Sequence, residues 1–297
     1  MIKSEVRHWL DSEMENFHFD SLALGVLDLE TYQTDALQIG HRFENHSDEA
    51  YFDLASLSKP LNFFPWYCQH PQLFTKERLL LLNHQAGLPI SGRLHKDTWN
   101  EQVLSYSLSE SATNYSDFSP LRLMLELETE ANESTLNIGK KYWNEKVVFW
   151  RDLPQESFSI PTGVRNNKLI KGQVHDDKAF VIEDYTAHAG LFSTINGILK
   201  TLASWCKDHQ LIEKVTSQMN EGRFALGWDT VKDPQSSLAG SKSCLQTFGH
   251  LGFTGTSMWI SPKNKKAIVV LTNETLKYWY DRKKLASFRK TLHDLLW

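Results

Sequence analysis

Strand-like sequence lies at the two ends of this chain, and a long helix-rich stretch separates them. Near the N-terminus, LALGVLDLE (Leu22–Glu30) and DALQIGHRF (Asp35–Phe43) are short apolar runs around a polar turn, a pattern that predicts an antiparallel hairpin. Near the C-terminus, TSMWISP and KKAIVVLTN surround the turn SPKNKK and predict a second strand pair. Val6, Leu10 and Met14 recur at helical spacing, which predicts an amphipathic helix over residues 1–16. Leu285, Phe288, Leu292 and Leu295 form one stripe of a helix expected over residues 276–297. A sheet assembled from both chain ends obliges the residues between to fold as an insertion. The expected class is therefore α+β. An antiparallel sheet from about 1–55 and 246–297 is flanked by helices, with a mostly helical region over about 56–245, as one unit spanning 1–297.

The 297 residues suffice for one large domain or two small ones, and 41% hydrophobic with 23% charged residues is ordinary for a folded globular chain. A net charge of −4 without a basic run argues against a nucleic-acid surface. Three cysteines, Cys68, Cys206 and Cys244, without CxxC spacing, argue against a disulfide framework or a zinc site. The N-terminus has no apolar leader core, and no apolar run approaches the ~18 residues that span a bilayer. A cytoplasmic place is expected for the chain as written, and a periplasmic or extracellular one if a signal has been removed.

Three serine–lysine pairs have Ser-x-x-Lys spacing: Ser56/Lys59, Ser204/Lys207 and Ser287/Lys290. A serine hydroxyl is a weak nucleophile until a neighbouring base takes its proton. On a helix, positions three apart share a face, so a lysine there can reach the hydroxyl. Only Ser56 sits at an expected helix start, marked by Pro60 in the first turn, where proline's missing N–H costs nothing. Such a start also offers backbone N–H groups to a developing oxyanion. The other two pairs fall inside helical patterns, where the lysine is expected to be solvated.

Further motifs follow in order: LLNHQAGLP, NYSDF with Tyr115, Ser116 and Asp117, VHDDKA, HAGLFST and GHLGFTGTSMWISP. Together with DLASLSKP, this ordered set resembles the β-lactamase-related serine hydrolases, which include class C β-lactamases, D-alanyl-D-alanine carboxypeptidases and related esterases. The resemblance covers about residues 20–275 and implies a β-lactamase/transpeptidase-like fold. It implies Ser56 as acylated nucleophile, Lys59 as its base and Tyr115 as the group exchanging protons with Ser56 and the leaving group. Asp117 takes the third position of the Tyr-x-Asn motif, and His250 the first position of the Lys-Thr-Gly motif. The amides of Ser56 and of Phe253, after Gly252, would form the oxyanion hole. Neither a metal nor an organic cofactor is implied. Asp117 also fits as a mere helix cap, and His250 as a structural strand residue. His175, Asp176 and His188 match no metal-ligand spacing and resemble segments lining the far side of the cleft.

The family pattern reads His-Thr-Gly where this chain reads His250-Leu251-Gly252. Leucine cannot donate the hydrogen bond associated with gripping a substrate carboxylate. The segment EDYTA before HAG also departs from Gly-rich relatives. The expectation is an acyl-enzyme hydrolase of small esters, amides or peptides, esterase- or peptidase-like rather than an efficient β-lactamase. The alternatives are a D-alanyl-D-alanine carboxypeptidase or β-lactamase, and a non-catalytic relative that binds a ligand in the old cleft. A small-molecule or peptide partner is implied, and the oligomeric state stays open.

Overall fold

The computed structural model describes residues 2–44, 49–277 and 280–297. Its main sheet has seven strands: β1 Leu22–Asp28, β2 Thr34–Ile39, β8 Phe224–Ala225, β9 Trp228–Thr230, β10 Phe248–Leu251, β11 Ser257–Ser261 and β12 Lys266–Thr272. Their order is β2-β1-β12-β11-β10-β9-β8, and every pairing is antiparallel. The two ends of the chain thus meet at the β1–β12 ladder, where Leu22 faces Thr272 and Asp28 faces Lys266.

Side chains alternate across a strand, and on β12 both faces are covered. Ala267, Val269 and Leu271 join a core with Ile195, Ile198, Leu199 and Leu202 of helix α8 (Ile195–Asp208). Ile268 and Val270 pack with Val6 and Leu10 of α1 (Ser4–Glu13) and with Leu285, Phe288 and Leu292 of α10 (Lys283–Leu296). Each such aliphatic side chain contributes about 1.5–3 kcal/mol by leaving water. Residues 1 and 278–279 of the two expected terminal helices lie outside the described residues. The α10 stripe closes on buried Leu296, and Leu295 points outward. A one-residue shift keeps the last contact on the apolar face once the helix starts at Lys283.

The stretch between the sheet's outer parts carries α2 Ser58–Gln69, α3 Lys76–Leu82, α4 Trp99–Ser105, α5 Phe118–Ala131, α6 Thr135–Tyr142, α7 Asp177–Ile182, α8 and α9 Leu211–Thr216. It is not helical throughout. Strands β3 Phe52–Asp53, β4 Val147–Phe149 and β7 Leu191–Ser193 form a small sheet in the order β3-β7-β4, and β5 Gly163–Arg165 pairs with β6 Lys168–Ile170. The fold is α+β. Among the described residues, no helix is long and apolar enough to cross a membrane.

The site-forming junction lies where β3 enters α2 beside the end of β10. After β10, a turn closes with Gly252 N–H donating to Thr256 O at 2.7 Å. Thr254 Oγ1 donates to Asp53 O at 2.8 Å and Thr256 Oγ1 to Leu54 O at 3.1 Å. A Cβ on Gly252 would sit 2.7 Å from Leu54 O, and Gly255 has φ +111°, so side chains at these two positions would separate the turn from the chain entering α2.

Candidate active site

Ser56 lies in a single 3-10 turn, Ala55–Leu57, that runs directly into α2. Ala55 before it has φ 48°, a left-handed conformation costly for an alanine and held only where the surroundings impose it. The imposing group is Asp53, whose Oδ1 accepts the Ala55 N–H at 2.8 Å. One turn along, Lys59 places its Nζ 2.8 Å from Ser56 Oγ. Pro60 is the third residue of α2, where the missing N–H leaves no helical bond unmade.

The Lys59 ammonium is 3% exposed. It spends its three donors on Ser56 Oγ, on Asp117 Oδ1 at 2.9 Å and on His188 O at 3.0 Å. Burial pushes such a group toward neutrality, but the adjacent Asp117 carboxylate outweighs it and raises the Lys59 pKa. The resting site therefore holds an ammonium.

Asp117 occupies the N-cap position of α5 but makes no capping bond. Its other oxygen, Oδ2, takes Lys178 Nζ at 3.1 Å. Burial would raise this carboxyl, yet Lys59, His188 and Lys178 hold it far below the usual carboxylate range. Lys178 stands on α7, whose N-cap Asp176 accepts from Ala179 N–H and from His188 Nε2, both at 2.9 Å. The cap reading thus belongs to Asp176 rather than Asp117.

Tyr115 packs its ring 5.0 Å from Lys59 Nζ and 4.4 Å from the His84 ring. Asn114 N–H donates to His84 O at 2.8 Å and Ser116 N–H to His84 Nδ1 at 3.2 Å. A backbone N–H can only donate, so Nδ1 accepts and the His84 proton sits on Nε2. Burial, then Lys59, pushes His84 down to about 3, which keeps it neutral.

On β10, His250 Nδ1 lies 2.9 Å from Leu251 O. A carbonyl only accepts, so Nδ1 carries the proton and Nε2 offers a lone pair, buried with no hydrogen-bond partner among the described residues. Burial and the nearby Lys59 keep this imidazole neutral as well. Its ring centroid is 6.0 Å from that of Tyr115. Leu251 packs toward Val231 and Trp259 and borders the cleft. Phe253 is 49% exposed, with Arg282 over its ring at 4.5 Å and donating to its carbonyl at 2.7 Å.

These residues border a two-lobed cleft that shares Ser56, Tyr115 and Phe253. One lobe, about 640 Å³, is also walled by Val164, Ile170, Asp117 and Lys178. The other, about 440 Å³, is walled by His250, Leu251, Arg223, Arg282 and Arg289. The arrangement brings Ser56, Tyr115, Asp117, His250, Gly252 and Phe253 together around one space, with Lys59 buried behind Ser56. His175 and Asp176 border the larger lobe, and His188 lies buried behind it. Among the described residues, no three His, Cys, Asp or Glu side chains converge as metal ligands. In the departing EDYTA segment, Tyr185 donates to Asn62 Oδ1, and Asn62 Nδ2 donates to Ala187 O at 3.2 Å, so a half-buried tyrosine ties this wall to α2.

The other two serine–lysine pairs carry no such setting. Ser204 bonds Asp208 and Ser287 is exposed on α10. Sequence reasoning passed over Asp53, His84 and Lys178, although all three lie within the quoted motifs. It also passed over Arg223, Arg282 and Arg289.

A β-lactamase family model matches residues 147–287. A protein from Escherichia coli K12 with the provisional name D-alanyl-D-alanine carboxypeptidase is 34% identical over 116 residues, covering 35% of this chain and 27% of that one. Its counterpart from Salmonella typhi is 32% identical over 123 residues, covering 37% and 28%. The likeness thus spans little more than a quarter of these relatives' length. A class C β-lactamase structure from Rhodobacter sphaeroides superposes with a TM-score of 0.69 at 16% identity, covering 99% of this chain and 100% of that one. The octameric penicillin-binding protein homologue from Pyrococcus abyssi gives 0.68 at 14% identity, covering 100% and 78%. The chain thus has the β-lactamase and penicillin-binding-protein-like fold from end to end, and its residues 147–287 are similar to the β-lactamase family.

Proposed function

We propose that this protein is a serine hydrolase that works through an acyl-enzyme on a small ester, amide or peptide, with residues 1–297 acting as one unit. The observation that carries this reading is the 2.8 Å contact of Lys59 Nζ with Ser56 Oγ at the cleft. In the reactive form Lys59 is neutral and accepts the Ser56 proton as Oγ attacks the substrate carbonyl. The resulting oxyanion is met by the amides of Ser56 and Phe253, and each such donor is worth about 3–4 kcal/mol in comparable sites. The tetrahedral adduct collapses, the bond to the leaving group breaks, and Tyr115 gives that group its proton while taking the one that Lys59 received from Ser56. Water then attacks the acyl-enzyme, releases the acid and returns the proton to Ser56.

Two features bear on the substrate. Leu251 supplies no hydroxyl for a carboxylate, which favours neutral esters or amides. Arg282 and Arg289 border the same lobe, and neither bonds a carboxylate among the described residues. They favour the second reading, a carboxylate-bearing substrate such as a D-alanyl-D-alanine peptide or β-lactam.

A fluorophosphonate probe tests the reaction class. One label is expected, on the peptide containing Ser56, and none in Ser56→Ala. Lys59→Arg is expected to lose acylation by about 100- to 10,000-fold, because arginine stays protonated. Labelling at Ser204 or Ser287, or an unlabelled wild type, would defeat the reading and favour a ligand-binding protein.

A further inference from the structure

One carboxylate in this site serves two lysines. Asp117 gives Oδ1 to Lys59 at 2.9 Å and Oδ2 to Lys178 at 3.1 Å. Lys59 is on α2, Asp117 at the head of α5 and Lys178 on α7, so three separate elements converge to build this arrangement. Lys178 also borders the cleft beside Ser56 and Tyr115. Nothing in the Ser-x-x-Lys chemistry by itself calls for a second ammonium.

The need appears when the charges are followed through the reaction. A base must arrive without its proton, yet Lys59 rests against a carboxylate that favours the ammonium. If Asp117 had Lys59 as its sole partner, deprotonating Lys59 would strand a nearly buried carboxylate without a counterion, a costly state. Lys178 removes that obstacle. Once Lys59 is neutral, Asp117 remains paired through Oδ2. The second positive charge also opposes the first across the shared carboxylate.

The other groups facing Lys59 do not supply this balance. Tyr115 lies beside it in the loop before α5, while His84 after α3 and His250 on β10 are held neutral by burial. His188 gives Lys59 its carbonyl, and its ring, which also helps to keep Asp117 ionised, is bonded to Asp176 and makes no bond to Asp117. Arg223, on the His250 side, is paired with Asp229 at 2.7 Å.

We propose that Lys178 is a positioning residue of the acylation step, the second ammonium on Asp117 that allows Lys59 to release its proton and act as the base for Ser56. The proposal rests on the acyl-enzyme reading above. It predicts that the acid limb of the pH–rate profile, which reports the loss of the Lys59 proton, depends on the charge at position 178. With Lys178 neutralised, Lys59 is the one ammonium still bonded to Asp117, it holds its proton more tightly, and the limb moves to higher pH.

The experiment is the rate of fluorophosphonate labelling between pH 7 and 10, on the rising acid limb below the raised Lys59 pKa, for wild type, Lys178→Met and Lys178→Arg. Circular dichroism checks the fold of each variant. Lys178→Met is expected to move that limb, and with it the midpoint, up by about one pH unit, which slows labelling about tenfold at each pH on the limb, while Lys178→Arg, which keeps the charge, holds the wild-type position. If Lys178→Met does not fold, Lys178→Gln is read in its place with the same expectation. A midpoint unmoved in the neutral variant, or moved equally in Lys178→Arg, overturns the inference while leaving Ser56 acylation intact. A wild type that takes no label on Ser56 overturns the acyl-enzyme reading and this inference with it.

Discussion

Asp53 and His175 are joined by a 2.6 Å hydrogen bond, donated by the His175 amide to Asp53 Oδ2. Oδ1 of the same carboxylate holds the Ala55 amide at 2.8 Å, and the Asp53 carbonyl accepts from Thr254 Oγ1 at 2.8 Å. One residue of β3 thus ties together the Ser56 turn, the VHDD wall and the turn after β10. Burial pushes its carboxyl up to about 7, against the two amide donors that pull it down.

That rise fixes the sign of a pH effect. A carboxyl whose pKa is higher in the folded than in the unfolded protein binds its proton more tightly when folded. Its contribution to stability is present at low pH and is lost as pH rises from about 4 through 7. A rise of about three units corresponds to ~4 kcal/mol. Urea unfolding of wild type and Asp53→Asn at intervals from pH 4 to 8 isolates this contribution. The wild-type stability relative to the variant is expected to fall across that window. A difference that is flat with pH would mean that Asp53 is ionised in the folded protein throughout.

His84 offers a cleaner view of how Tyr115 is held. It grips the chain on either side of the tyrosine, through its carbonyl at Asn114 and its Nδ1 at Ser116. His84 also has φ 57°, which asparagine tolerates better than most residues. His84→Ala leaves the buried Ser116 amide without its acceptor, a loss of about 1–3 kcal/mol, and frees Tyr115 to shift. Acylation is expected to slow by about tenfold or more with little change in substrate KM. His84→Asn places an oxygen near the former Nδ1 and is expected to recover much of the rate. Equal rates for the two variants, measured with a chromogenic ester, would show that the grip on Tyr115 is not what matters.

The parts of this site legible in the sequence were those encoded by short-range spacing. Ser56 and Lys59 lie one helical turn apart, and Pro60 marks the helix start that separates them from the Ser204 and Ser287 pairs. The β1–β2 and β11–β12 hairpins were equally plain, because short apolar runs flank a polar turn in each. Strands β8 and β9 have two and three residues, too few for a period to show, and so the seven-stranded sheet extends into a stretch that reads as helix. Lys178 was illegible for another reason. Its partner Asp117 lies 61 positions away, and only the docking of α7 against the head of α5 brings them together. Asp53 and His84 stood inside recognisable motifs, but their bonds to residues 122 and 32 positions distant have no local signature.

The last question is what the cleft accepts, and it turns on Leu251. Were a hydroxyl at this position to grip a substrate carboxylate, its absence should handicap carboxylate-bearing substrates and spare neutral ones. Leu251→Thr is then expected to raise kcat/KM for a β-lactam by roughly ten- to a hundredfold, since one hydrogen bond to a charged group is worth about 1.5–3 kcal/mol. A neutral short-chain ester should change little. Leu251 also packs against the cluster of Val231 and Trp259, so a urea melt must accompany the kinetics. A variant that slows both substrates alike has lost packing rather than gained a contact. The competing source of carboxylate affinity is the arginine wall. Arg289 is pushed down to about 9 by burial and by Arg282, which leaves it charged at neutral pH, and it donates to Thr256 O at 2.6 Å beside the cleft. Should the wild type hydrolyse the β-lactam efficiently, and Arg282→Gln abolish that while sparing the ester, the arginines supply the grip and the missing threonine hydroxyl does not limit the enzyme.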